Sequence, residues 1–255
     1  MKTKLVIDTD AGTDPDDLFA IVYALSHPNA EVKAITTVHG DTVLRSKIVR
    51  KLGRLLGIEI PITAGAERPL VSNKMYLGGF EHKGLNREEH AEEFKSASFP
   101  EYDKDTTLVS IAPFTNIAMQ LQNKSSILNV KNIYCMGYNK DSHNFLVDPD
   151  ATDIVMNHSW NKYCITKEVS SKIKFTRKEL HDLKGTELGD FLCESAIRGI
   201  DGMKREDSWM YDVLTVSAAL GEPYVKFVKE GNRFISYDVD LELKDKLVEA
   251  IKKWN

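Results

Sequence analysis

Five aspartates lie within ten residues near the start of the chain, at Asp8, Asp10, Asp14, Asp16 and Asp17. Carboxylates crowded together in this way repel one another unless some are protonated or a cation binds between them. Because every ligand on offer is an oxygen, the cluster favours calcium or magnesium over zinc. The sequence therefore predicts a cation-binding carboxylate site in this segment.

The aspartates follow a short apolar segment that predicts a buried strand. Asp8 and Asp10 then point to the same side where the strand leaves the sheet, because side chains alternate along a strand. Asp16 and Asp17 fall in the first turn of a helix predicted over residues 15–25. Acidic residues at the start of a helix cap the helix and complement its dipole, and this explanation accounts for one or two of the five aspartates. Helix capping does not account for Asp8 and Asp10.

Segments of strand length alternate with amphipathic segments along most of the chain. This alternation predicts an α/β fold, a single domain over residues 1–255 with a largely parallel, mixed central sheet flanked by helices. Sites in such sheets lie beyond the carboxyl ends of the strands. Residues 72–100, rich in charge and glycine, predict a mobile flap. The predicted strands cover residues 5–7, 32–38, 58–63, 107–111, 132–136 and 162–166, and the helices 15–25, 44–56, 115–122 and 149–158.

Composition narrows the classes of partner. The chain has 34 Lys and Arg against 38 Asp and Glu, interspersed, which argues against a nucleic-acid-binding surface. No apolar run approaches the ~18 residues of a membrane span, and the first residues show no secretory hydrophobic region. Cys135, Cys164 and Cys193 are widely spaced, as expected of reduced thiols. We therefore expect a cytoplasmic protein that binds neither nucleic acid nor membrane.

Two better-known acidic motifs fit the cluster poorly. An EF-hand loop requires Glu at its twelfth position, which counted from Asp8 is Phe19. Phosphatases of the haloacid dehalogenase type also open with D-x-D after the first strand, but their second acidic pair is distant. Here the pair Asp16-Asp17 lies in the first loop. The sequence therefore gives little support to a magnesium phosphohydrolase with Asp8 as nucleophile, and the two other functional hypotheses given below fit better.

Residues 8–17, D-T-D-A-G-T-D-P-D-D, resemble the opening motif of the nucleoside hydrolases, the inosine-uridine-preferring family. The usual form of that motif is D-x-D-P-G-x-D-D, so this chain is similar to a variant with two extra residues. Several matches in family order are a far more specific signal than any single one. Further segments that resemble the family lie, in order, at residues 36–40, 64–70, 112–118, 144–151 and 211–216.

The resemblance implies an open sheet like that of the nucleoside hydrolases, a homodimer or homotetramer, and a Ca²⁺ cofactor. It also implies that Asp16 and Asn144 hold ribose hydroxyls, with Asp8 supporting the cluster. The implied calcium ligands are the side chains of Asp10, Asp17 and Asp212 and a main-chain carbonyl at or beside Thr115.

These implied roles agree with the chemistry of glycoside cleavage. Hydrolysis of an N-glycosidic bond passes through a sugar with oxocarbenium character. A bound cation lowers the pKa of its water, and an adjacent carboxylate can take the proton; Asp10 is the candidate for that base. The sequence therefore favours a calcium-dependent hydrolase of ribonucleosides or related ribosides.

Three positions depart from the family pattern. Tyr211 replaces the His that serves as leaving-group acid, Ser142 replaces a Glu, and Asp41 replaces an Asn. Tyr211 is left as the candidate catalytic donor, although its reference pKa of ~10 makes it a weak acid at neutral pH. Loss of a general acid typically costs ~10²–10⁴ in rate. A nucleoside- or riboside-binding homologue with weak or altered activity is the alternative.

Other side chains are candidates for contacts with substrate. His82 in the predicted flap and His143 beside Asn144 could reach the base or sugar, as could Asp41, whereas a solvated loop histidine is the alternative for His82. Trp209 is expected to pack in the core at a helix start. Asp148 is expected to cap the helix that begins at Pro149.

Overall fold

The computed structural model of the chain describes residues 2–71 and 93–254. His82 and residues 72–92 of the predicted flap lie outside this part. In the described residues the strands are β1 Thr3–Thr9, β2 Ala30–Thr37, β3 Ile62–Ala64, β4 Thr106–Ser110, β5 Asn132–Met136, β6 Asn161–Ile165, β7 Lys174–Thr176, β8 Asp207–Trp209, β9 Val225–Glu230 and β10 Arg233–Val239.

Helices connect most of these strands, and a short 3-10 turn covers Ser126–Asn129. None of the described helices combines the length and apolarity that crossing a bilayer requires. The helices are α1 Asp16–Ser26, α2 Thr42–Leu55, α3 Thr115–Gln122, α4 His143–Val147, α5 Pro149–Asn157, α6 Lys167–Ser170, α7 Arg177–His181, α8 Glu187–Met203, α9 Val213–Ala219 and α10 Glu242–Lys252.

Eight strands form one sheet in the order β3-β2-β1-β4-β5-β6-β10-β9. Neighbouring strands are parallel except for β9, which pairs antiparallel with β10 at one edge. A separate antiparallel pair joins β7 and β8. The predicted α/β fold with a largely parallel, mixed sheet is confirmed.

Alternate residues of β1 pack into two different cores. Leu5 and Ile7 belong to a hydrophobic cluster that includes residues of α1, α8, α9 and α10, whereas Val6 belongs to a second cluster with residues of α3 and α5. Helices therefore cover both faces of the sheet, and β1 is buried between them. This explains why its apolar residues are continuous instead of alternating with polar ones.

The strand order reverses at β1, because the chain runs from β1 outward to β2 and β3 and then returns to β4 on the other side. In open α/β sheets a crevice forms at such a reversal, outside the carboxyl ends of the strands. The acidic segment leaves β1 at this end of the sheet. The topology thus positions the five aspartates where such folds place their sites.

The helices and strands predicted from the sequence agree with the structure to different degrees. The helix at 115–122 and the strand at 132–136 agree with α3 and β5, whereas the strand predicted over 58–63 is found as β3, Ile62–Ala64. Pro61 immediately precedes β3 and lacks the N–H that a ladder requires, although its carbonyl accepts from Ile35 N at 3.0 Å. Cys135, Cys164 and Cys193 are all free and buried.

Candidate metal centre

The aspartates at the start of α1 do not act as helix caps. The N-cap position is Pro15, and no side chain caps the helix, although Asp16 and Asp17 lie in its first turn. Both are buried, each with 4% of its surface exposed. Thr9, the last residue of β1, donates a hydrogen bond from Oγ1 to Asp17 Oδ1. The capping explanation therefore fails for this pair, which is turned into the protein.

Asp212 completes a compact group of oxygens. Asp16, Asp17 and Asp212 each present one ligand atom within 4.8 Å of the others, the group of this kind found among the described residues. Asp212 immediately precedes α9 and is also only 4% exposed. The two distant parts of the sequence, residues 16–17 and 212, are thus brought together at one point. An all-oxygen set of buried carboxylates fits a calcium or magnesium ion.

The electrostatics of this group also fit a cation. Burial, reinforced by the neighbouring carboxylates, raises the pKa values of Asp16, Asp17 and Asp212 well above their usual range. Asp16 and Asp212 are close enough for each carboxylate to shift the pKa of the other. A divalent ion bound among them would offset the repulsion between the carboxylates.

Asp10 is partly exposed, unlike Asp16, Asp17 and Asp212. Its carboxylate acts to raise the pKa values of Asp16, Asp17 and Asp212, so its charge reaches all three. The oxygen group itself contains Asp16, which the sequence had suggested for the sugar, along with the predicted ligands Asp17 and Asp212. Asp10 therefore lies near the group and is less buried than its three members.

Asp8 lies behind the group as part of a hydrogen-bond network. Its Oδ1 accepts from Thr36 Oγ1 at 2.5 Å and Asn116 Nδ2 at 2.7 Å, while Oδ2 has no partner among the described residues. Burial raises the pKa of Asp8 to about 7, although the bonds from Thr36 and Asn116 lower it. Asn116 also accepts from Ala66 N at 2.8 Å. Asp8 thereby joins β1 to β2 and α3.

Arg45 is the buried cation of the site, and sequence reasoning missed it. From α2 it donates to the carbonyls of Asp10, of Ala11 (3.2 Å) and of His39 (2.6 Å), and to Thr13 Oγ1 (3.0 Å). Its charge acts to lower the pKa of Asp17, although burial dominates there. A signal for it existed, since a basic residue in a first helical turn is disfavoured by the dipole and needs other partners.

A second hub surrounds Asp148, which caps α5 as predicted, its Oδ1 accepting from Ala151 N at 3.1 Å. Its Oδ2 accepts from Leu70 N at 2.9 Å and from Thr115 Oγ1 at 2.6 Å. Thr115, predicted beside a metal-binding carbonyl, thus begins α3 with its side chain turned to Asp148. Asp41, predicted to contact substrate, caps α2 by accepting from Leu44 N at 3.0 Å, a role that sequence reasoning missed.

The other side of the centre is aromatic and partly exposed. Tyr211 lies edge-on to Trp209 with ring centroids 5.4 Å apart, and the Arg205 guanidinium lies 4.7 Å from the centroid of Trp209. Burial raises the pKa of Tyr211 above its usual value, whereas Arg205 acts to lower it. Tyr211 therefore keeps its proton throughout the neutral range. The expectation that Trp209 packs in the core was wrong, because it lies half-buried on β8.

An ion pair connects this aromatic side to the acidic loop. Arg205 Nη1 lies 3.0 Å from Asp14 Oδ2, with side-chain exposures of 27% and 25%. Burial raises the pKa of Asp14, but the ion pair lowers it, and His143 is near enough to act in the same direction. Asp14, to which the sequence assigned no role, therefore links the loop to the segment that carries Tyr211.

Asn144 and Ser142 lie at the carboxyl end of β5. Asn144 Nδ2 donates to Met136 O at 3.3 Å, and Ser142 Oγ accepts from Tyr138 N at 3.0 Å. His143 between them is exposed. Ser142 thus folds back on its own loop where the family pattern has a longer acid.

Known proteins resemble this chain in sequence and in fold. The sequence model of the family described as "Inosine-uridine preferring nucleoside hydrolase" matches residues 5–251. A "Probable uridine nucleosidase 2" of Oryza sativa subsp. japonica is 24% identical over 99% of this chain and 84% of its own length.

An "Inosine-uridine preferring nucleoside hydrolase" of Crithidia fasciculata is 32% identical over 63% of this chain and 58% of its own. Among solved structures, a "Purine-Preferring Ribonucleoside Hydrolase from Gardnerella vaginalis" superposes with a TM-score of 0.82. It is 23% identical and covers 98% of both chains. That likeness shows the fold.

Proposed function

Because the chain belongs to the inosine-uridine preferring nucleoside hydrolase family, we propose that it is a calcium-dependent hydrolase of ribonucleosides or related ribosides. The observation that carries the proposal is the buried oxygen group of Asp16, Asp17 and Asp212, with the charge of Asp10 close enough to act on it. Without a cation, such a group of buried carboxylates destabilises the folded state. A role in the hydrolysis reaction of the family explains why the fold contains it.

In the proposed mechanism Asp10, Asp17 and Asp212 would hold calcium together with a main-chain carbonyl at or beside Thr115. The ion would supply a water of lowered pKa to the site. Asp10 would take the proton of the attacking water, because it is less buried than Asp16, Asp17 and Asp212 and can reach a water beside the ion.

The sugar is held by Asp16 and Asn144 through its ribose hydroxyls. As the glycosidic bond breaks, positive charge grows on the ribose ring, and the fixed carboxylates of the acidic loop stabilise it. Their positions are set before substrate arrives, since Asp17 is bound by Thr9 and Asp14 by Arg205. Asp8 supports the cluster from behind. This preorganisation is what the buried network contributes to catalysis.

The departing base meets the aromatic side of the site. Tyr211 donates a hydrogen bond to the leaving group there, and His143 and Asp41 are further candidates for contacts with substrate. A raised pKa makes the phenol a poor proton donor, so bases that leave without full protonation react best. The relatives' names include uridine, inosine-uridine and purine preferences, so they do not select one base for this chain.

The test is a panel of purine and pyrimidine nucleosides and simple ribosides, incubated with calcium and assayed for free reducing sugar. We expect turnover of at least one of them, lost on chelation and restored by calcium but only weakly by magnesium. Absence of reducing sugar across the panel, with calcium bound, would contradict hydrolysis.

Weak catalysis with retained binding is a second candidate, and the buried phenol of Tyr211 in place of an imidazole is the observation that favours it. In that case nucleosides raise the melting temperature of the calcium-loaded protein but release no sugar. The same panel therefore separates the two functions. Size-exclusion chromatography tests the homodimer or homotetramer that the family resemblance suggests.

A further inference from the structure

Arg45 is held by the loop that carries the acidic cluster. It lies on α2, is 1% exposed, and is the largest of the side chains with almost no exposed surface in the described residues. Three of its acceptors, the carbonyls of Asp10 and Ala11 and the hydroxyl of Thr13, lie within four residues of the loop after β1. The fourth, the carbonyl of His39, belongs to the loop after β2. One guanidinium thus joins the ends of two adjacent strands.

Burial of Arg45 at this position lowers the stability of the fold, so a contribution to stability alone does not explain it. A cation in the first turn of a helix opposes the helix dipole, and a buried charge loses its hydration. The loops on either side also adopt unusual geometry, since His39 has a left-handed backbone with φ of 67°. A non-glycine residue in that region is held there by its surroundings. Here His39 N donates to Ala66 O at 2.8 Å while its carbonyl accepts from Arg45.

The geometry points to Arg45 as a positioning residue for the cation site: it fixes the backbone from Asp10 to Thr13 so that the Asp10 carboxylate faces Asp17 and Asp212. It touches neither the cation nor the substrate. Its positive charge also partly offsets the repulsion among the carboxylates before the cation arrives. This inference rests on the proposed function, because the cation it serves is the calcium of that site.

Arg45→Lys tests the inference directly. Lysine keeps the charge, but its single nitrogen cannot reproduce the planar fork of donors that joins both loops. We expect the calcium affinity to fall ~10–100-fold, the range typical of residues that orient metal ligands. Isothermal titration with calcium alone, without substrate, measures it.

Arg50→Lys is the matched control. Arg50 lies on the same helix, one and a half turns further on, where its Nη1 donates to Glu93 O at 2.9 Å. Its guanidinium carbon also lies 5.4 Å from the centroid of the Phe94 ring. The same chemical change there is expected to leave calcium affinity within twofold of the wild type.

Thr13→Val separates positioning from general stability. It removes one acceptor of Arg45 but leaves the buried cation and its carbonyl partners in place. We expect calcium affinity to fall ~3–10-fold, because only part of the loss of one hydrogen bond to a charged group is transmitted to the ion, with little change in the melting temperature of the calcium-free protein. This variant decides the matter if Arg45→Lys does not fold.

The outcomes are distinct. Calcium binding by the wild type that Arg45→Lys and Thr13→Val leave unchanged overturns the role of Arg45 and leaves the proposed function intact. Lower melting temperatures with unchanged calcium affinity also overturn it, since they show a structural role only. Absence of calcium binding by the wild type overturns the proposed site and the role of Arg45 with it.

Discussion

The two sides of the candidate centre are built in different ways. The carboxylate side is buried, lies at the end of the central strand β1, and is fixed by Asn116, Arg45 and the hydroxyls of Thr9 and Thr36. The leaving-group side is partly exposed and is held by the contact of Arg205 with Asp14 and Trp209. Groups with several buried partners tolerate little change, whereas partly exposed ones tolerate more. From this difference we expect substitutions on the carboxylate side to be tolerated less well than substitutions on the leaving-group side.

Removal of the proposed base should show the largest effect. Asp10→Asn keeps the size of the side chain but cannot accept the proton of the attacking water. We expect kcat to fall by ~10²–10⁴ or more on the best substrate of the panel. Asp14→Asn, in the same loop, is the control and should change kcat much less. Equal losses from the two variants would show that the loop matters only as a whole.

The second largest effect is expected in the pH dependence of stability, which reports on the carboxylate side of the centre. The pKa of Asp8 is raised to about 7, above its unfolded value of 3.8, so the folded protein binds more protons than the unfolded chain between these values. Without calcium, stability should therefore decrease as pH rises from about 4 to 7. The raised pKa values of Asp16, Asp17 and Asp212 act in the same direction.

Calcium should reverse this trend, because the ion binds ionised carboxylates and its stabilisation grows with pH. Thermal melts at several pH values, with calcium and with chelator, measure both curves. Asp8→Asn should flatten part of the chelator curve, since an amide does not titrate. A chelated protein that gains stability from pH 5 to 7 would show that these carboxylates are ionised in the folded state.

Tyr211→His probes the leaving-group side. Imidazole has an unperturbed pKa of ~6.5 and donates a proton near neutrality far more readily than phenol. We expect kcat on purine nucleosides to rise ~10-fold or more, with calcium affinity unchanged. Tyr211→Phe is the paired variant and should not raise kcat. No gain from histidine would place the leaving-group acid elsewhere or leave the reaction without one.

The ion pair of Arg205 and Asp14 should show the smallest effect. Because both partners are about one quarter exposed, Arg205→Met is expected to lower stability by only ~0.5–1 kcal/mol. Its effect on KM should exceed its effect on calcium affinity if the pair orders the wall around Trp209 and Tyr211. A loss of calcium affinity as large as that of Arg45→Lys would remove the distinction between the two sides.

The sequence predicted most reliably those features that are determined by residues close together along the chain. The acidic loop, the helix at Thr115–Gln122 and the cap at Asp148 follow from neighbouring residues. The family motifs also indicated that Asp212 meets Asp17, which periodicity alone could not.

Contacts between distant elements were not predictable in the same way. Asn116 reaches Asp8 across 108 positions, and Arg205 reaches Asp14 across 191, so no local pattern records either contact. The edge strand β9 and its neighbour β10 were also missed, because their alternation of charged and apolar residues is weak and their pairing is decided by the rest of the sheet.

The attachment of the acidic loop to β1 has a consequence for hydrogen exchange. β1 is paired on both sides, by β2 and β4, so its amides should exchange with deuterium only when the whole sheet opens. The edge strand β9 is paired on one side and can open by itself. Fraying at that edge therefore leaves the loop that starts at Asp10 in place. A partly opened molecule would still hold its cation, and calcium should protect the loop amides without slowing those of β9.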